Sequence, residues 1–219
     1  MTYGVGMLVK DGLVMIADTR TNAGVDAISV YRKLHILADS NDRIVIAASA
    51  GNLSVTQAAL ATLAEGLPPA KGTDDIRRVA DMPTMFRIAQ LVGEAMYQAR
   101  DDVREALEAA DISSGVSMLL GGRIRGGALK LYLIYAAGNF IECASDSPFL
   151  QIGETKYGKP ILDRALAYDT PLDEAVGAVG QQVELAVDRD IVDAGIGPGV
   201  GDHHQPVLDQ HPHAISHLP

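Results

Sequence analysis

The chain has 219 residues, 47% of them hydrophobic, a formal charge of −10 and one cysteine. Its length and apolar content support one domain with a substantial core. The acidic balance and scattered Lys and Arg exclude a nucleic-acid binder, which needs clustered cations against phosphates. Cys143 alone excludes an intrachain disulfide framework and fits a reducing compartment.

No positive n-region with a long apolar stretch opens the sequence, so no secretory signal is expected. No apolar run approaches the roughly 18 residues of a membrane span. The expectation is a cytoplasmic protein with neither a membrane nor a nucleic-acid partner.

The first elements are strand-like. "YGVGMLV" and "LVMIAD" flank "KDG", a hairpin signal centred on Asp11-Gly12, and both arms are apolar enough to be covered on both faces. "RTNAGV" reads as a loop. "KLHILA" and "RIVIAAS", separated by "DSND", form a second hairpin. A helix over "SVTQAALATLAEGLPP" follows, opened by a capping box of Ser54 with Gln57 and closed by Gly66 and two prolines. From Pro83 to about Ala110, Ile88, Leu91, Val92, Ala95, Ala99, Val103 and Leu107 recur at helical spacing.

Strands return in "VSMLLGG", "LKLYLIYAA" and "FIECAS", a short apolar stretch that makes Cys143 a buried, inert thiol. The glycines of "GGRIRGG" lack the Lys-Ser/Thr and the following helix of a phosphate loop, so they read as a hairpin connection. Two helices come last, over "KYGKPILDRALAY" and from Thr170-Pro171, where a Thr N-cap and a Pro at the first helical position agree. Two doubly apolar sheets and two helix pairs predict an α+β fold, a four-layer α-β-β-α sandwich over residues 1–200. Residues 201–219 form an atypical His- and Pro-rich tail. It holds five of the six histidines without a frame to order metal ligands, so no metal and no cofactor is expected.

Thr2, behind the start methionine, is either incidental or a candidate nucleophile. A methionine before a small residue is normally removed, which gives Thr2 a free α-amine beside its own hydroxyl. That amine is a base for the hydroxyl, an established route to a threonine nucleophile. A lysine nearby lowers the amine's pKa from about 7.7–8.0 by like-charge repulsion, and a carboxylate holds the lysine. Asp18 ends the strand that pairs with the Thr2 strand, and Lys33 opens the next one. Gly51, in "SAGNLS" just before a helix, has a backbone N–H suited to an oxyanion. Each has a plain structural alternative: a turn cap, a solvated lysine and a hinge. Their joint arrangement favours function.

These residues resemble the N-terminal threonine hydrolases of the proteasome β-subunit and HslV type. "MTYGVGM", "ADTRTNAGVD", "YRKLH" and "IGETKYGKPILDR" are most similar to the Anbu family, the bacterial ancestral β subunits, over roughly residues 1–175. The resemblance implies the same sandwich and self-assembly into a ring or open spiral. It implies a peptide or small amide substrate, Thr2 as nucleophile, Asp18 and Lys33 as the pair tuning its amine, and Gly51 as oxyanion donor. By family position it also puts Thr21 and Ser49 in the substrate pocket. It names no ATPase partner.

The chain departs from the proteasomal pattern in three places. Lys33 lies one position closer to the threonine, Glu154 replaces a serine after Gly153, and the later Asp and Ser have only Asp190 and Asp193 as candidates. A second reading is therefore a catalytically inactive scaffold or binding subunit. A third is a metal-binding module built on the tail histidines.

Overall fold

A computed structural model describes residues 2–22, 28–72, 74–156 and 158–183, with residues 20–22, 28–30 and 179–183 described by backbone alone. Strands β1 (Tyr3–Val9) and β2 (Gly12–Ala17) pair antiparallel, with Val9 opposite Gly12. The turn is therefore Lys10–Asp11, and Gly12 is the first residue of β2 rather than part of the turn. β3 (Arg20–Asn22) and β4 (Ile28–Val30) form a short ribbon where the sequence reads as loop. β5 (Leu34–Ser40) and β6 (Arg43–Gly51) form the second hairpin.

Helix α1 (Leu53–Glu65) is capped by Asn52, whose side chain accepts from the Val55 N–H, while Ser54 donates its hydroxyl to that same side chain. Asn52 thus displaces Ser54 as the N-cap, because it precedes the first helical residue directly. Gly66 ends α1 at φ +98°. α2 (Met85–Ala109) is capped by the Thr84 hydroxyl, which accepts from Arg87 N–H. β7 (Val116–Ile124), β8 (Lys130–Tyr135) and β9 (Phe140–Glu142) continue the β5–β6 sheet in the order β5-β6-β7-β8-β9. The "GGRI" segment belongs to β7, so the connection to β8 is shorter than the sequence suggests. β10 (Phe149–Gly153), which has no local sequence signal, pairs with the outer edge of β1 and gives the order β10-β1-β2. α3 (Lys159–Ala165) and α4 (Leu172–Val183) follow. Thr170 does not cap α4: its hydroxyl accepts from Ala167 N–H behind it, and the Pro171 carbonyl takes the first helical bond from Ala175.

Alternation along the strands builds the layers. On β6, Val45 and Ala47 face outward into a cluster with Val55, Ala59, Ile88, Val92 and Met96 of α1 and α2. Ile46, Ala48 and Ala50 face inward, with Leu13, Met15, Leu119, Leu131 and Ile152. On the other sheet, Val5, Met7, Val14 and Phe149 pack outward against Leu162 of α3 and Ala175 of α4. The order is α-β-β-α, as the apolar pattern predicts. Two glycines let the sheets approach: a Cβ on Gly6 would lie 2.7 Å from Leu131, and one on Gly121 would lie 2.6 Å from Leu13. No helix among the described residues is long and apolar enough to cross a membrane.

Candidate active site

Thr2 stands directly before β1, so whatever fixes the start of β1 fixes Thr2. Both neighbouring strands do so. On the β2 side, Asp18 donates its N–H to the Tyr3 carbonyl and accepts the Tyr3 N–H on Oδ1, each at 3.1 Å. On the β10 side, Glu154 donates its N–H to the Thr2 carbonyl at 2.7 Å. Gly153 makes that approach possible. It sits at φ +79°, and a Cβ there would lie 2.0 Å from the Thr2 carbonyl oxygen.

Lys33 completes the cluster. It is 5% exposed, and its ammonium donates to Asp18 Oδ1 at 2.7 Å and to Thr2 Oγ at 3.0 Å. Asp18, at 11% exposure, is nearly as dry. A buried ammonium must be paired to remain charged, and the strands supply the partner within hydrogen-bond reach. With the Thr2 hydroxyl oxygen accepting from a cation, any negative charge developing on that oxygen would be stabilised where it forms.

Gly51 closes β6, opposite Val116. The next residue, Asn52, donates its N–H to the Gly115 carbonyl, while Ser49 donates its N–H the other way, to Lys33. Alternation in an antiparallel ladder therefore turns the Gly51 N–H away from β7, toward the side on which Lys33 lies. Gly51 has φ +110°, and a Cβ would lie 2.3 Å from the Gly115 carbonyl, so the position requires glycine.

The remaining residues separate. Ser49 is 3% exposed, and its hydroxyl lies 3.3 Å from Nε2 of His35. Thr21 lies in β3 opposite Ser29, and its side chain is outside the described residues. The Glu154 carboxylate turns to the Lys156 N–H, so the residue reaches Thr2 through its backbone alone. Asp190, Asp193 and the five tail histidines lie outside the described residues. Among the described ones no group of His, Cys, Asp and Glu could hold a metal ion. Sequence reasoning missed Gly153 and His35. The signal for His35 was its spacing, two residues beyond Lys33, which stands directly before β5.

Cys143 is far from this chemistry in character. It is buried, its thiol reaches the Ser147 carbonyl at 3.1 Å, and burial with Glu142 and Asp146 nearby pushes its pKa up to about 11. The thiolate needed for reactivity is thereby suppressed.

The architecture defines the class: a four-layer sandwich of the proteasome-subunit type. No protein-family model and no curated protein matches the chain. Solved structures do. Anbu from Yersinia bercovieri is 39% identical at TM-score 0.72, over 83% of this chain and 73% of that one. A Gly-1 mutant of Anbu from Hyphomicrobium sp. strain MC1 is 38% identical at TM-score 0.72, over 84% and 73%. The Anbu complex of Pseudomonas aeruginosa, solved as a helical assembly, is 38% identical at TM-score 0.68, over 81% and 71%. The chain belongs to the Anbu, or ancestral β-subunit, family.

Proposed function

We propose that this chain is a threonine-type amide hydrolase acting on peptides, with Thr2 as nucleophile once Met1 is removed. The observation that carries the reading is the single buried ammonium of Lys33 shared between Thr2 Oγ and Asp18. In the proposed reaction the Thr2 hydroxyl attacks the substrate carbonyl carbon and its proton passes to the Thr2 α-amine. The Gly51 N–H receives the carbonyl oxygen as it becomes anionic. Collapse breaks the C–N bond, the α-amine returns the proton to the leaving amine, and an ester to Thr2 remains. Water, deprotonated by the same amine, then hydrolyses the ester and restores Thr2. Base assistance of this kind contributes about 10²- to 10⁴-fold.

The helical assembly of the P. aeruginosa relative supports self-association of this chain too. Sedimentation should give a particle several times the 23.1 kDa protomer. A lone protomer at micromolar concentration would contradict it. The lone buried Cys143 suits work in a reducing cytoplasm.

Intact mass tests the chemistry. The purified protein should lack Met1, gain one equivalent of a peptide electrophile on Thr2, and lose both that adduct and peptide hydrolysis in Thr2→Ala. Retained Met1 turns the required base into an amide and overturns the reading. So does hydrolysis that survives Thr2→Ala, and an inert wild type points to a scaffold.

A further inference from the structure

Beside the Thr2 cluster lies a second polar contact that the proposed reaction does not use. Ser49 is almost fully buried, and its hydroxyl meets Nε2 of the half-buried His35 at 3.3 Å. The ring of Tyr31 stands 6.2 Å from the imidazole, tilted by 50°. The strands place this pair. Because Ser49 donates its N–H to the Lys33 carbonyl, the β5–β6 ladder runs on to Lys33. Side chains two apart on a strand leave the same face, so His35 stands next to Lys33 and Ser49 next to Gly51. A substrate residue held between Thr2 Oγ and the Gly51 N–H would extend its side chain along this face, toward Ser49 and His35.

The chemistry of the pair selects what that side chain can be. Burial, with the Arg32 cation nearby, pushes the His35 pKa below its ordinary 6.5, so the ring is neutral at pH 7. A neutral imidazole has one donor and one acceptor nitrogen, and a serine hydroxyl both donates and accepts. An aliphatic side chain would shut water away from both groups and return nothing, which leaves desolvated polar atoms. A carboxylate accepts only. A carboxamide donates and accepts at once.

We propose that His35 and Ser49 are the specificity-determining pair of this site, selecting substrates with a carboxamide side chain, as in Gln or Asn, next to the bond attacked. This deepens the Thr2 reading and rests on it.

The test uses the processed full-length protein and two peptide electrophiles identical except for Gln or Leu at the residue bearing the reactive carbonyl. Adduct formation on Thr2 is followed by intact mass. The Gln probe should react about 10-fold faster or more, the order expected for one or two net hydrogen bonds in a partly open pocket. His35→Leu and Ser49→Ala should each erase most of that ratio, while His35→Gln, which keeps a donor and an acceptor, should retain it. Equal rates for the two probes on the wild type overturn the inference without any variant having to fold. A ratio that survives both His35→Leu and Ser49→Ala also overturns it. In either case Thr2 adducts still form, so the Thr2 reading stands. Absence of Thr2 adducts with both probes overturns that reading, and the specificity inference with it.

Discussion

Two Lys–Asp pairs in this chain have nearly the same length and opposite weight. Lys33 and Asp18 meet at 2.7 Å with 5% and 11% of their side chains exposed, and they stand just before β5 and just after β2, strands of two different sheets. Lys159 and Asp163 meet at 2.9 Å on one turn of α3, with 61% and 47% exposed. The exposed pair is bathed in water and screened by salt, which leaves such pairs little net energy. The buried pair is largely shielded from that screening, and a third group, the Thr2 hydroxyl, also accepts from its cation. Distance alone does not make a site. Burial, convergence of separate elements and a third partner, here a hydroxyl, mark the candidate.

Substitutions that undo those features should act in order of how much each feature supplies. The largest effect belongs to Lys33→Met. It leaves the Asp18 carboxylate buried without its cation, a loss of about 3–5 kcal/mol in denaturant unfolding. It should also slow adduct formation at Thr2 by about 10²- to 10⁴-fold. Next comes Gly153→Ala, which keeps every charge but forces a Cβ toward the Thr2 carbonyl from a left-handed backbone. Strain of about 1–2 kcal/mol should appear in unfolding. A displacement of Thr2 by about 1 Å should slow its acylation by about 10²-fold.

Arg77 and Glu94, 23% and 37% exposed, lie between the two extremes. Two 2.7 Å bonds from the guanidinium hold the Glu94 carboxyl below its ordinary value of 4.5. A depressed carboxylate pKa stabilises the fold above the unfolded value and loses that contribution as pH falls through the folded one. The stability difference between wild type and Glu94→Gln should therefore be full at pH 7 and shrink at pH values below 4.5, and solvent screening should keep it under about 1 kcal/mol. A difference that grows on acidification would contradict the assignment. Smallest of all is Lys159→Ala, expected to change stability by no more than about 0.5 kcal/mol and Thr2 acylation not at all. A larger change would mean that exposure does not separate the two pairs.

What the sequence disclosed and what it hid follow one physical line. Apolar runs flanking turn residues exposed the β1–β2 and β5–β6 hairpins, and spacing of three and four exposed α2, because those patterns are local. Asp18 and Lys33 were visible as polar residues at the ends of apolar strands. β10 was not visible. Its pairing with β1 joins Tyr3 to Gly153, and no local pattern announces a partner so distant along the chain. The contacts that fix the Thr2 carbonyl, from Glu154 N–H over the bare Cα of Gly153, were hidden for the same reason. The cap of α1 was misjudged on a finer scale. Ser54 and Asn52 are both good capping residues, and only the path of the chain out of β6 shows that Asn52 comes first. The β3–β4 ribbon pairs only three residues on each side, too few to show an alternation.

The most direct measurement is a crystal structure of the protein, with Met1 removed, after reaction with a peptide electrophile. The proposed chemistry requires continuous density from Thr2 Oγ to the acyl carbon, with the Lys33 ammonium within hydrogen-bond distance of that oxygen and of Asp18. A bond to any other side chain, or a Lys33 turned away from an unmodified Thr2, would contradict it.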